Sequence, residues 1–320
     1  MVIAATSDRR RAGIALCLVS ACGFGLMAIF ATQAYGEHVG VTTLLATRFT
    51  LAAAVFWAIV CTRGRRRTRG PQAAGTPRRA VLAALALGGV GYSAQAGLFF
   101  SALRHIDVSM TSLLLYTYPA IVCAGAVALG RERVTTYKAT ALALASAGTA
   151  LVLLGSGGGG LQATGVVLGV GAAVAYSFYI LVAETIVGRL DTWLFSALVT
   201  TGAALTLSLT GAVSGALAMP GASGLAWIAA IALLSTVLPV STFLLGLARV
   251  GAPTAVIVST VEPVVTVSLA MLLLGDALGP AQLLGGVLVL GAVLALQARR
   301  EEPAPAHGVP AAPGVLRELA

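Results

Sequence analysis

Uncharged apolar runs recur along this chain from residue 12 to residue 298, with only short polar breaks between them. An apolar run of about 18 residues or more is long enough to cross the hydrocarbon core of a bilayer as a helix. Inside that core every backbone polar group must be satisfied by the chain itself, and a helix achieves this within one segment. Repetition of such runs therefore dictates an all-α integral membrane protein. Composition excludes the soluble alternative. Charged residues make up 10% of the chain, against about 25% in soluble domains, and the mean hydropathy is +0.96.

The runs predict ten spans, at 12–34, 39–61, 80–103, 108–129, 134–154, 162–186, 191–213, 223–247, 254–274 and 279–298. Their separators are turn-like: "GRRRTRGPQAAGTPRR" is the longest internal loop, and "GSGGGG" and "MPGASG" are Gly-rich turns. When loops are assigned alternately to two sides, 18 of the 20 basic residues fall on the side of both termini. Arg104 lies on the opposite side and Arg48 lies inside span 2. This positive-inside pattern places both termini in the cytoplasm of a cell-membrane protein. It also accounts for the net charge of +9 without nucleic acid, because the basic runs are topology determinants. Span 1 is too long for a signal peptide and lacks a small-residue cleavage site, so it is expected to be retained. Residues 1–11 read as a cytoplasmic tail and 299–320, rich in Pro and Ala, as a disordered one. The cysteines Cys17, Cys22, Cys61 and Cys123 have no metal-ligand spacing and read as packing residues.

Laid on itself at an offset of 144 residues, the chain aligns Leu103 with Leu247, Pro119 with Pro263 and Glu132 with Asp276. At an offset of 152, "SACGFG" in span 1 matches "AAVAYS" in span 6, bringing Phe24 opposite Tyr176. Five spans per half is an odd number, so the second copy must enter the membrane upside down. The charges agree: "GRERVTTYK" is basic, and its counterpart "GDALGPAQ" has no basic residue. The expected architecture is two inverted five-helix repeats, 12–155 and 161–298, around a central cavity, an arrangement that recurs in secondary transporters.

Two groups of five spans, prolines interrupting spans 4 and 9, an acid soon after each ("GRE", "GD"), "TRF" at 47–49 and "AYSFY" at 175–179 together resemble the EamA type of the drug/metabolite transporter superfamily. The resemblance covers residues 12–298. It implies ten helices around a cavity that opens alternately to either side, and outward movement of small metabolites, amino acids or drug-like compounds. Some relatives carry an acid in both repeats; here Tyr118 precedes Pro119 where Glu262 precedes Pro263.

Candidate site residues are the polar and aromatic groups near mid-span. A carboxylate at a helix centre costs about 2.5–3.5 kcal/mol on insertion scales, so Glu262 must face the bundle interior or water. Ser259 and Thr266 share its helical face. Pro263 and Pro119 bend their helices and free a carbonyl one turn earlier. Glu262 then carries a proton, pairs with a substrate ammonium group, caps freed backbone or holds Arg48. Arg48 binds a substrate carboxylate, neutralises Glu262, or snorkels to the interface about 14 Å away at 1.5 Å per residue. Tyr92 and Gln95 in span 3, Tyr118 in span 4, and Tyr176 and Tyr179 in span 6 either line the cavity or pack between helices. The small-molecule substrate is the expected partner, with protons as a second one.

Enzymatic signatures are scarce. His38, His105 and His307 lie away from mid-span, and no HExxH or phosphate-loop lysine motif is present. A membrane enzyme or a non-transporting scaffold is the alternative. No cofactor or metal is expected, and transport energy would come from ion or solute gradients.

Overall fold

The computed structural model describes residues 2–67, 78–131, 135–154, 162–187 and 189–298. Part of the long basic loop, Glu132, the "GGGG" turn at 157–160 and the tail 299–320 lie outside the described residues. Among the described residues every regular element is a helix. Helix α1 is Val2–Gly36, α2 Val41–Arg67, α3 Arg78–Ala102, α4 Val108–Ala128 and α5 Thr136–Leu154. The chain continues with α6 at Ala163–Val187, α7 at Thr192–Val213 and α8 at Ala222–Val250. It ends with α9 over 252–274 and α10 at Pro280–Ala298. Residues 2–11, read from sequence as a cytoplasmic tail, are helical and continuous with α1, and no Pro or Gly interrupts Val2–Arg11.

Seven of these helices, α1–α4 and α6–α8, are long and apolar enough to cross a membrane. The apolar parts of α5, α9 and α10 are shorter: Ala139–Val152, Val261–Leu274 and Pro280–Ala295. In α9 the shortening has a local cause, because the helix breaks at Thr260, directly ahead of Pro263.

Local sequence explains where the helices start and stop. Asp191 caps α7, its side chain accepting from the N–H groups of Trp193 (3.0 Å) and Leu194 (3.4 Å). Gly251 (φ 80°) and Gly275 (φ 75°) end α8 and α9 in backbone conformations that a β-carbon would strain.

Tertiary packing pairs α2 with α7 and α5 with α10. It sets α1 against α8 and α9, and α6 against α3 and α4. Lipid supplies no hydrophobic drive between helices, so close approach over small residues matters. A β-carbon on Gly88 would run into the Val199 carbonyl, and one on Gly202 into the Leu85 carbonyl, so α3 and α7 cross backbone to backbone. Gly148 and Gly285 do the same for α5 and α10.

Turns gather at two ends. At one, Thr43 Oγ1 donates to the Ala216 carbonyl (3.2 Å), and His105 Nδ1 meets Gln162 Oε1 (2.9 Å). Ser109 N–H donates to Asp276 Oδ2 at that same end (2.9 Å). At the other, the Arg63 guanidinium lies 4.8 Å from the Trp193 ring centroid, and Arg131 reaches Glu184 (3.6 Å) and the Leu181 carbonyl (2.9 Å). The first end holds Arg104 and is arginine-poor; the second is arginine-rich.

Candidate functional site

Irregularities in the helices build the site. In α3 the backbone widens into a π-helical stretch at Leu87–Tyr92, and in α8 into another at Leu233–Val237. Such bulges turn side chains out of helical register and concentrate at functional positions. Here they bring Tyr92 and Thr236, which hold equivalent places in the two copies of the repeat, to one guanidinium. Arg48 Nε donates to Thr236 Oγ1 (3.0 Å), and the Tyr92 phenol lies beside the guanidinium. Thr236 in turn donates to the Ile231 carbonyl five residues back (2.9 Å), satisfying backbone that the widened turn releases.

Arg48 is 1% exposed. Its guanidinium carbon lies 4.8 Å from the centroid of Phe49 and 5.1 Å from that of Phe100. The snorkelling alternative is thereby overturned: α2 turns Arg48 inward against α8, where Thr236 anchors it. Its Nη1 is buried and has no hydrogen-bond partner.

A second pair of breaks places the carboxylate. Helix α4 unwinds between Leu115 and Tyr118, and α9 breaks at Thr260, the equivalent point of the second copy. Residues two apart on a regular helix face different directions. The break in α4 lets both Tyr116 and Tyr118 face Glu262, with their ring centroids 5.9 Å apart. The Tyr116 hydroxyl lies beside the Glu262 carboxylate. Thr266 Oγ1 donates to the Glu262 carbonyl (3.1 Å), on the turn that Pro263 perturbs.

Between these two charged groups lies a cavity of about 100 Å³. Arg48, Tyr92, Gln95, Tyr118, Tyr176, Glu262 and Thr266, all singled out from sequence, line it together. Tyr179 and Ser259 do not. Tyr179 stands one layer back, its ring stacked on Tyr92 (5.3 Å, 29°) and on Tyr176 (6.0 Å, 11°). Ser259 lies on the far side of the Thr260 break, and its hydroxyl donates to the Ala255 carbonyl (3.0 Å). The break rotates it off the face that Glu262 and Thr266 share. Arg48 and Glu262 are not paired with each other: Arg48 Nε bonds Thr236, and Glu262 lies beside Tyr116.

An aromatic ladder joins the two charged groups. From Phe49 beside Arg48 it runs to Tyr92 (5.2 Å), then Tyr179, Tyr176 and Tyr118 (4.6 Å from Tyr176), and ends at Tyr116 beside Glu262. Sequence reasoning missed Tyr116 and Ser112 as lining residues. Tyr116 carries a signal only if the helix is known to break between it and Pro119, and Ser112 reads as one small residue among many.

The depth of the cavity follows from its lining. Arg48 is seven residues into α2 from the arginine-poor end, about 10 Å at 1.5 Å per residue. At that end the Val108–Leu115 segment of α4 packs against Val261–Leu269 of α9. Toward the arginine-rich end, Tyr118–Ala128 packs on α5, α6 and α10, and Ala252–Ser259 packs on α1, α8 and α10.

Comparison with known proteins agrees with this architecture. The model of the EamA-like transporter family matches residues 11–154 and again 163–297. The chain belongs to the EamA-like transporter family, and is thus a membrane transporter of the drug/metabolite transporter superfamily. No curated protein matches it. Among solved structures, one titled only as a crystal structure of a protein is similar in fold. Its TM-score is 0.62 at 22% identity, with 91% of this chain and 99% of that one covered.

Proposed function

We propose that the chain is an alternating-access exporter of small organic solutes across the cytoplasmic membrane. In this reading ten helices cross the bilayer as two inverted five-helix halves, with both termini in the cytoplasm. The observation that carries it is the cavity at intermediate depth, walled by α1–α4 of one half and α6 and α9 of the other, with a buried guanidinium and a carboxylate facing in. Charged groups at that depth are costly in lipid and persist where they face a solute path.

Further support for two inverted halves comes from the matching offsets. Helix breaks at 116–117 and 260, and the π-stretches holding Tyr92 and Thr236, recur at the same spacing that aligns Pro119 with Pro263. Packing is exchangeable in the same way: α1 on α8 and α9 corresponds to α6 on α3 and α4, while α2–α7 and α5–α10 map onto themselves. Helices α5 and α10 have 19 residues each, or about 28 Å, close to the roughly 30 Å core. Nearly upright, they complete the ten crossings. The gathering of arginines at one end orients that end to the cytoplasm. In this reading the state is closed outside, where α4 meets α9.

Export is tested by comparing the medium of cells producing the protein with that of cells producing Arg48→Ala at equal membrane abundance. The expected result is enrichment of a small organic solute in the first medium only. Identical media would refute export through this cavity.

A further inference from the structure

At the arginine-poor end, one hydrogen bond crosses between the two copies of the repeat. Asp276 lies in the turn that ends α9, where Gly275 takes a left-handed conformation (φ 75°) and the Asp276 N–H donates to the Ala270 carbonyl (3.3 Å). That closure ties Asp276 to the end of α9. Its carboxylate reaches into the other copy: Oδ2 accepts from the N–H of Ser109 (2.9 Å), the second residue of α4. A first-turn N–H, which a helix leaves without an internal partner, is thus served by a charged group from outside the helix.

A helix ordinarily meets this need itself. Asp107 stands at the N-cap of α4, the place from which a side chain accepts from the second or third N–H, yet it makes no capping bond. It is exposed, and near enough to Asp276 for the two charges to repel. Separating α4 from α9 would take Asp276 away and leave the Ser109 N–H to Asp107, so α4 stays capped when this end opens.

The other copy has no such donor. The offset that aligns Pro119 with Pro263 puts Gly251 opposite Asp107 and Pro253 opposite Ser109. Glycine has no side chain to cap with, and proline has no N–H to donate. The start of α9 therefore cannot make the bond that the start of α4 makes.

We infer that Asp276 and the Ser109 N–H form a one-sided latch, which holds the protein at rest in the state closed at the arginine-poor end. Two inverted halves of equal strength would populate both end states alike. One bond to a charged group, present in one state only, tips that balance roughly ten-fold. This rests on the alternating-access reading above and adds which state the transporter rests in: the one that loads from the cytoplasm.

Labelling of Ala28→Cys in the cavity, in a chain without its native cysteines, tests the latch. The rate of reaction with a membrane-impermeant thiol reagent is measured in right-side-out and in inverted vesicles, and the outside-to-inside ratio reads the balance of the two states. Asp276→Ala should raise that ratio about ten-fold, with outside labelling faster and inside labelling slower. Ser109→Pro, which keeps Asp276 and removes only the donor, should do the same; Pro253 holds the matching place at the start of α9. Asp276→Asn keeps an oxygen without the charge and should raise the ratio by less. A ratio unchanged in these variants overturns the latch and leaves alternating access intact. Labelling from one side alone, or from neither, in every variant overturns both.

Discussion

Thr236→Val isolates the contact that holds the buried guanidinium. Valine matches threonine in shape, so the change removes a hydroxyl and leaves packing nearly intact. That hydroxyl accepts from Arg48 Nε at 3.0 Å and donates to the Ile231 carbonyl at 2.9 Å. A hydrogen bond to a charged group contributes about 1.5–3 kcal/mol and a neutral one about 1. Measured interhelical side-chain bonds in a membrane protein average about 0.6 kcal/mol, with a maximum near 1.7. The Arg48 bond belongs toward the top of that range, because Nη1 on the same group is already without a partner and Phe49 and Phe100 cover the guanidinium. The expected loss is therefore about 2 kcal/mol, read as reduced resistance to unfolding in mixed detergent micelles. Thr236→Ser, which keeps the oxygen, should recover most of it. Unchanged stability in Thr236→Val, or equal damage in Thr236→Ser, would refute the assignment of Thr236 as the anchor of Arg48.

Three further outcomes follow from other parts of the structure. Glu262→Gln keeps the shape of the residue beside Tyr116 but removes its proton-binding carboxylate; proton-driven flux into vesicles should fall at least ten-fold, and undiminished flux would take Glu262 out of energy coupling. Gly88→Ala places a methyl group against the Val199 carbonyl, so α3 and α7 must separate and stability should drop by about 1–3 kcal/mol; a stability equal to wild type would refute the tight crossing. At the arginine-poor end, burial pushes the Asp107 carboxyl above its ordinary value, and the charge of Asp276 adds to the push. The raised value means the closed form favours protonated Asp107, so closure strengthens as the outer pH falls through the carboxylate range and weakens as it rises. Labelling of the cavity from that side should decline in acid in the wild type but not in Asp107→Asn, whereas an identical decline in both would place the pH response elsewhere.

How much was legible in the sequence depends on how local the cause was. Apolar runs gave the helical segments, seven of them long and apolar enough to cross a membrane, and charge counting divided the loops into an arginine-rich and an arginine-poor set, because both depend on composition over many residues. Seven of nine candidate lining residues came together because intramembrane polar groups have few places to go. The two exceptions, Tyr179 and Ser259, were displaced by tertiary features. A regular helix keeps Ser259 on the face of Glu262, but the backbone breaks at Thr260 between them. Tyr179 sits one turn from Tyr176, yet Tyr92 takes the place in front of it. The π-stretches have no sequence signature in "LGGVGY" or "LLSTV", so the convergence of Tyr92 and Thr236 on Arg48 could be found only in three dimensions. Arg48 itself was ambiguous along the chain, since its distance from the interface permits snorkelling. The partner at Thr236, far away in sequence, decides its direction.

Cysteine accessibility from each face of the membrane tests the alternating path most directly. Single cysteines replace Ala28 and Thr266 in the cavity and Phe178 on the exposed face of α6, with Cys17, Cys22, Cys61 and Cys123 removed. A membrane-impermeant thiol reagent, applied in turn to the outside of sealed cells and of inverted vesicles, should label the two cavity positions from both sides. Added solute should protect them, and position 178 should stay unlabelled. Labelling of the cavity positions from one side alone, or from neither, would contradict a cavity that two halves expose in turn.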